Sequence, residues 1–252
     1  MHPYITVFGY PLASYGLMYA LGVIAALIFS MISVRKARLR MDLAFILFTM
    51  SLFFGIIGSF LLHTFIVYTP SELISLIRSN AFPESFNVGF VYYGGFLSGI
   101  LGAYLTSKLL RFPLLAYARR MLPALSLAHA FGRIGCFLAG CCYGVESKLL
   151  GVCYPESNLL TNAPKGVPLF PVQLLEAFLL LLIAFMLYRL MQKTSLHPLK
   201  SYILLYAPVR FLLEFLRYDS VRGAFLFLST SQWISLILIL LALMPVKSIH
   251  RH

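Results

Sequence analysis

Seven stretches of apolar residues alternate with short polar segments along the 252-residue chain. Each is close to the length of about 20 residues that a helix needs to cross a bilayer. They cover residues 12–34, 43–68, 91–110, 121–141, 170–190, 201–217 and 229–246. The pattern predicts an all-α, polytopic membrane protein with about seven transmembrane helices, arranged as a single integral membrane domain over residues 1–252.

Two of the segments between these stretches are long enough to hold structure of their own. Residues 69–90 begin with Thr69-Pro70-Ser71-Glu72 and continue into an apolar run, which is typical of a capped amphipathic helix lying at the membrane interface. Residues 142–169 are rich in proline, asparagine and glycine. We interpret them either as a lid or as a plain connector.

Composition supports a membrane location. The chain is 60% hydrophobic and only 11% charged, whereas a soluble domain carries about a quarter charged residues. The formal net charge of +12 could suggest nucleic acid as a partner. However, the basic residues do not cluster with interleaved aromatics, so we predict no nucleic-acid partner.

The Lys and Arg residues fall mainly in alternate loops. Thirteen of the twenty lie on one side of the predicted spans, five lie on the other side, and Arg133 and Arg210 lie within spans. Cytoplasmic loops carry an excess of Lys and Arg. The distribution therefore predicts that the N-terminus is outside and the C-terminus is cytoplasmic.

Arg133 lies inside an otherwise apolar stretch and is followed by closely spaced glycines. A cation at membrane depth costs about 3 to 17 kcal/mol unless water or a partner relieves it. His129, Cys136 and Gly140 share its predicted helix face. This face indicates either an anion-binding site or a small-residue packing seam with a snorkelling arginine.

A second polar stripe in the sixth stretch contains Tyr206, Arg210 and Glu214. Arg210 and Glu214 are spaced i, i+4 and can form a structural ion pair. Alternatively, Glu214 orients Arg210, whose planar guanidinium suits phosphate oxygens. Two arginines with one nearby carboxylate would leave positive charge for an anionic ligand to balance.

The remaining polar residues leave their roles open. Gln173 and Glu176 lie one turn apart and suit either the interface or a cavity, while Tyr93 suits an interfacial belt. The four cysteines, which lack the spacing of a metal site, suit a disulfide from Cys141 or Cys142 to Cys153, or unpaired thiols. We predict no metal and no cofactor.

Several separate segments together resemble prolipoprotein diacylglyceryl transferases. They occur in the family's order and extend over nearly the whole chain. They are Tyr15-Gly16-Leu17-Met18-Tyr19, Tyr93-Gly94-Gly95, Gly132-Arg133-Ile134-Gly135 with Gly140 and Gly144, Pro171-Val172-Gln173-Leu174-Leu175-Glu176, Arg210-Phe211-Leu212-Leu213-Glu214-Phe215-Leu216-Arg217, and Leu228-Ser229-Thr230-Ser231-Gln232.

The resemblance implies an enzyme of the bacterial cytoplasmic (inner) membrane that acts at its outer leaflet side. Such an enzyme moves diacylglyceryl from phosphatidylglycerol to a cysteine thiol in the signal peptide of a lipoprotein precursor, releasing glycerol phosphate. Its partners are these two substrates and membrane lipids. By this resemblance Arg133 and Arg210 hold the phosphate and Glu214 orients Arg210. The lipid site is shaped by Tyr15, Tyr206, Gly94, Gly95 and Gly144.

The chain departs from the family's pattern at three positions. Tyr93 stands where the family usually has a histidine proposed to help deprotonate the thiol, Cys136 stands where it has asparagine, and Cys141 stands where it has glutamate. Tyr93, with an ordinary pKa near 10, is a poor base at neutral pH. His129 is therefore a candidate base, although an adjacent arginine would itself lower the pKa of a substrate thiol.

Two other functions fit the same features. The cationic cavity would also suit a transporter or lipid-binding protein that performs no chemistry. A relative with the same scaffold could instead transfer lipid to a different acceptor.

Overall fold

A computed structural model describes residues 3–7, 9–78, 91–154, 163–164, 166–193, 197–218, 224–225 and 227–244. Helices dominate this part of the chain. They are α1 (Ser14–Lys36), α2 (Met41–Val67), α3 (Pro70–Arg78), α4 (Tyr92–Leu109), α5 (Leu114–Ala139), α6 (Val172–Lys193), α7 (Pro198–Leu213) and α8 (Thr230–Leu243), with a 3-10 turn at Glu214–Leu216.

Four helices in the described residues are long and apolar enough to cross a membrane: Ser14–Lys36, Met41–Val67, Leu114–Ala139 and Val172–Gln192. The all-helical, polytopic architecture predicted from the sequence is therefore confirmed. Helices α7 and α8 have 16 and 14 residues, fewer than the roughly 20 that span a bilayer. The number of seven spans and the single domain remain predictions.

Three antiparallel hairpins accompany the helices. Strands β1 (Tyr4–Val7) and β2 (Tyr10–Ala13) pair with Tyr4 opposite Ala13 and lead directly into α1. Strands β3 (Val152–Cys153) and β4 (Pro168–Leu169) pair with Val152 opposite Leu169. Strands β5 (Ala224–Phe225) and β6 (Leu228–Ser229) precede α8.

The helix predicted in this segment is present over Pro70–Arg78, its place at the membrane interface stays a prediction, and residues 79–90 lie outside the described part. At its start, the Thr69 amide donates to Glu72 Oε2 at 2.8 Å and the Glu72 amide donates to Thr69 Oγ1 at 3.4 Å. This reciprocal capping box satisfies amides that the first turn leaves without helical partners.

The chain divides into two compact units. The first comprises Met1–Ser33 and Ala118–His252, and the second comprises Val34–Tyr117. In the second unit α2 packs against α4 through glycines. A Cβ on Gly95 would lie 3.2 Å from the Gly55 carbonyl oxygen, and one on Gly94 would overlap the carbonyl oxygen of Gly58. Small residues therefore allow these two backbones to approach closely.

In the first unit α1 packs against α5, where a Cβ on Gly135 would lie 3.1 Å from Met18 Cβ. Helix α5 ends in a Schellman turn. Gly140 has φ of +77°, its amide donates to Phe137 O at 3.1 Å, and the Cys141 amide donates to Cys136 O at 3.0 Å. The turn directs residues 141–144 back over the end of the helix.

The segment after this turn is tied to the helices that follow. The Gly144 amide donates to Phe170 O at 3.0 Å, and the Val145 amide donates to Leu216 O at 2.9 Å. A Cβ on Gly144 would lie 2.6 Å from Leu216 O and 2.7 Å from Phe170 O. Only glycine fits between these carbonyls, so it fixes the chain before α6 beside the chain after α7. Residues 155–162 and 165, part of the predicted lid or connector, lie outside the described residues.

Candidate active site

The end of α7 holds a buried ion pair. Arg210 Nη2 lies 2.6 Å from Glu214 Oε2, and the two side chains are only 7% and 8% exposed. The pairing expected from the i, i+4 spacing is confirmed. The same nitrogen donates to Ser231 Oγ on α8 at 3.2 Å, and the capping box of Ser229 and Gln232 fixes the start of that helix.

Arg210 keeps one donor without a partner. Its Nη1 is buried and has no hydrogen-bond partner among the described residues. A buried donor left unsatisfied costs about 1–3 kcal/mol, and more when it is charged. Native proteins seldom leave such a group without a reason, and an anionic ligand would satisfy it.

A second ion pair joins α5 to α6. Arg133 Nε lies 3.1 Å from Glu176 Oε2, and the Glu176 side chain is 1% exposed. The Tyr206 hydroxyl on α7 donates to the other oxygen of Glu176 at 3.3 Å. The ring of His129 contacts the Tyr206 ring edge to face, with centroids 5.4 Å apart. Arg133, His129, Glu176 and Tyr206 therefore form one polar cluster between the three helices.

This second pair corrects the charge count made from the sequence, because both arginines have a carboxylate partner. Glu176, interpreted only as one of an interfacial or cavity pair, lies inside the bundle. It also interacts electrostatically with Arg210 and Arg217. Arg133 and Arg210 are thus each paired with a carboxylate, and Arg217 interacts electrostatically with Glu176 beside them.

Tyr15 lies beside this cluster. Its ring approaches Gly135, where a Cβ would lie 3.3 Å from Tyr15 Cδ2. It also interacts electrostatically with Arg133, Cys136 and Cys141. The structure therefore brings Tyr15, His129, Arg133, Tyr206, Arg210 and Glu214 together in one unit of the chain, and Gly144 ties the loop above them to Arg217 by a β-bridge.

The other unit holds Gly94 and Gly95, expected at the lipid site, and Tyr93, which the resemblance makes a candidate catalytic residue. Gly94 and Gly95 face α2, where they serve helix packing. Tyr93 belongs to α4, but its side chain lies outside the described residues.

All four cysteines are free thiols. The alternative of a disulfide from Cys141 or Cys142 to Cys153 is therefore not realised in this structure. The Sγ atoms of Cys136, Cys141 and Cys142 instead lie within 4.8 Å of one another. The spacing of the cysteines along the sequence did not predict this cluster. Gly140, which ends α5, could have indicated it, because a glycine at the end of a helix commonly reverses the chain.

The residues of the two ion pairs point to an anion-binding function. A guanidinium has five N–H donors in a planar fork, so one carboxylate contact does not saturate it. Such forks bind phosphate oxygens by paired, charge-assisted hydrogen bonds.

Comparison with known proteins gives matches over nearly the full chain. Residues 3–246 match the family model described as prolipoprotein diacylglyceryl transferase. A Clostridium perfringens protein named phosphatidylglycerol–prolipoprotein diacylglyceryl transferase 2 is 36% identical over 93% of this chain and 90% of its own length. Proteins named as the same transferase occur in Clostridium tetani, with 34% identity over 94% and 93%, and in Dehalococcoides mccartyi, with 36% identity over 90% and 85%.

Proposed function

The chain belongs to the prolipoprotein diacylglyceryl transferase family, and we propose that buried Arg210 and half-buried Arg133 bind the phosphate of phosphatidylglycerol for this transfer. The reaction moves the diacylglyceryl group to the thiol of a cysteine in a lipoprotein precursor. A C–O bond of the phosphodiester breaks, a C–S bond forms, and glycerol phosphate leaves. The observation that carries this proposal is that Arg210 Nη1 is buried and lacks a hydrogen-bond partner within the described part of the chain.

The two ion pairs position the phosphate-binding groups before lipid arrives. Glu176 holds Arg133 through Nε, and Glu214 together with Ser231 holds Arg210 through Nη2. The remaining N–H donors of the two guanidinium groups are proposed to bind the phosphate. Preorganised donors of this kind stabilise charge that develops in a transition state, because they need not reorient during the reaction.

The charge of the phosphate explains why arginines are needed. The phosphodiester carries one negative charge, and the departing phosphate monoester approaches two at neutral pH. Negative charge therefore grows on the group that Arg133 and Arg210 hold. Their interaction with the transition state is stronger than with bound lipid, which is the condition for accelerating the step.

His129 is the proposed acceptor of the thiol proton, since Tyr93 replaces the usual histidine. The site places His129 against Tyr206 and in electrostatic contact with Arg133 and Glu176. Tyr15 and Gly144 are proposed to shape the lipid site, and Tyr206 to hold Glu176 in place.

We also propose seven membrane spans, with the N-terminus outside and the C-terminus in the cytoplasm of a bacterial inner membrane. The excess of Lys and Arg in alternate loops supports this orientation. A reporter enzyme that is active only outside the cytoplasm should be inactive when it is fused to the C-terminus. Activity of that fusion would show that the orientation is the opposite of the one proposed.

The decisive experiment is mass spectrometry of a precursor peptide incubated with the purified full chain and phosphatidylglycerol. We expect the peptide to gain a diacylglyceryl thioether, and expect Arg133→Ala and Arg210→Ala to abolish it. Arg189→Ala is the matched control, because Arg189 is an exposed arginine of α6 stacked on Phe185. Product formation by both site variants, or flux of lipid across liposomes without a thioether product, would contradict the proposal.

A further inference from the structure

The three thiols beside Arg133 are brought together by the end of α5. Cys136 lies in the last helical turn, and the Schellman turn at Gly140 folds Cys141 back so that its Sγ lies 3.7 Å from Cys136 O. Cys142 follows immediately. The three Sγ atoms all lie within 4.8 Å of one another, with Cys136 buried and the other two half-buried.

The backbone that holds these thiols is strained and supported. Cys142 has φ of +61°, a left-handed conformation that costs a residue with a Cβ about 1–2 kcal/mol. Gln173, itself 1% exposed, donates to Cys141 O at 2.7 Å and to the Tyr154 hydroxyl at 3.1 Å. Strain that the surrounding structure maintains is common at functional sites.

The geometry and charge of the thiols suit a soft metal ion. Zinc–sulfur bonds of about 2.3 Å place tetrahedral ligand sulfurs about 3.8 Å apart. This separation is compatible with the three Sγ atoms, which lie within 4.8 Å of one another. Thiolates select zinc and other thiophilic ions. Three thiolates and a divalent cation carry one net negative charge, and the guanidinium groups of Arg217 and Arg133 interact electrostatically with Cys142. These cations would stabilise the anionic complex.

The described residues supply three protein ligands, which would leave the fourth position of a tetrahedral ion open. Structural zinc sites close all four positions with protein ligands, whereas catalytic sites keep one for water or substrate. The thiol cluster adjoins Arg133, which lies one helical turn before Cys136 and interacts with it electrostatically. A ligand at the open position would therefore lie beside the proposed phosphate site.

We propose that Cys136, Cys141 and Cys142 bind zinc or a similar thiophilic divalent ion, and that its open position takes the acceptor's cysteine thiol. The second part rests on the proposed transferase function. Metal coordination deprotonates a thiol outright, and here the proton passes to His129, its proposed acceptor. The bound sulfur then attacks the glyceryl carbon, and the electron pair of the broken C–O bond leaves with glycerol phosphate. The resulting thioether lacks the thiolate charge and dissociates.

The metal site is tested first without reference to activity. The reduced, metal-free full chain in detergent is titrated with Cd²⁺ while ultraviolet thiolate-to-metal charge transfer is recorded, and bound Zn²⁺ is counted by mass spectrometry. We expect one ion per chain, and loss of the band in the Cys136→Ser/Cys141→Ser/Cys142→Ser variant. Cys153→Ser is the matched control, because Cys153 is an exposed thiol outside the cluster.

Two results would overturn the metal site. One is equal metal binding by the triple serine variant and the wild-type chain, or no binding by either. The other is a disulfide within the cluster. It would be detected as fewer than four free thiols per chain when freshly isolated protein is denatured in the presence of a chelator and without reductant.

The role of the open position is tested by lipidation of the precursor peptide. A free thiol of ordinary pKa is only about 3% ionised at pH 7, so full ionisation offers about 30-fold. The lower nucleophilicity of a stabilised thiolate reduces this gain, and we expect metal removal to slow transfer about tenfold and Zn²⁺ to restore it. Wild-type rates in the stripped chain and the triple variant would refute the metal's role while leaving the transferase function intact. Metal binding without thioether product under any condition would instead refute the function and the substrate assigned to the open position.

Discussion

Replacing the Arg210–Glu214 pair separates a structural ion pair from a phosphate-binding group. Arg210→Met removes the cation and leaves the Glu214 carboxylate, 8% exposed, without its partner at 2.6 Å. Breaking a buried pair in this way costs about 3–5 kcal/mol. The single variant should therefore lose both thermal stability in detergent and transferase activity.

The double variant Arg210→Met/Glu214→Leu provides the discrimination. Exchanging both partners of a buried ion pair for apolar residues of similar volume is often neutral or stabilising, so the melting temperature should return close to that of the wild-type chain. Activity should not return, because the donors to the phosphate are still missing. Loss of one preorganised donor costs about 100- to 1000-fold in rate.

Arg210→Lys provides a further comparison, since it keeps the charge but loses the planar fork and the unpartnered Nη1. We expect at least a 100-fold loss in kcat/KM with lysine, measured by mass spectrometry of the thioether peptide. Wild-type transfer by the double variant would refute the assignment of Arg210 to the phosphate and leave it a purely structural role.

Variants at four other positions test separate parts of the structure. Glu176→Ala should destabilise the chain by about 3 kcal/mol, the lower end for a buried pair, because Arg133 is half-buried and loses its carboxylate partner. Glu176→Gln should retain most of the stability, and equal melting temperatures for the two variants would contradict this. His129→Ala should slow transfer about 100-fold if the imidazole accepts the proton, and an unchanged rate and pH profile would assign that role elsewhere. Gly144→Ala places a methyl group against two backbone carbonyls and should reduce the yield of folded protein, which wild-type yield would disprove. The hydrogen bond from the Thr69 amide lowers the pKa of Glu72. The stability that this cap gives α3 is therefore present above the ordinary glutamate pKa and is lost as pH falls through the lower pKa of the folded state. Glu72→Gln should abolish this pH dependence, measured by amide hydrogen exchange of α3.

Helix positions were predictable from hydropathy, but their ends were less so. The predicted span 121–141 begins seven residues after α5 does at Leu114. The apolar stretch is interrupted at Arg119 and Arg120, so hydropathy places its start after them. A helix nevertheless continues readily through charged residues once it leaves the hydrocarbon. At the other end the Schellman turn at Gly140 stops α5, a signal that hydropathy ignores.

The candidate site was predictable where its contacts are local in sequence. Arg210 and Glu214 are four residues apart, and helical geometry alone places them in contact. Arg133 and Glu176 belong to different helices, so their contact depends on tertiary packing that spacing does not reveal. The thiol cluster needs both a chain reversal and a left-handed residue, neither of which a linear ligand pattern describes.

The arrangement of charges gives a direction to the proposed reaction. Before transfer, one negative charge resides on the acceptor sulfur and one on the phosphodiester, and afterwards both reside on the departing phosphate monoester. Total charge is unchanged, but it moves toward Arg133 and Arg210. If Glu176 and Glu214 were absent, the cluster would bind the phosphodiester more tightly before reaction and also hold the more anionic product more strongly. With both carboxylates present, Arg133 and Arg210 are each already paired, so the site neutralises less of the additional charge of the product. We therefore expect the two glutamates to favour release of glycerol phosphate as well as to orient the arginines.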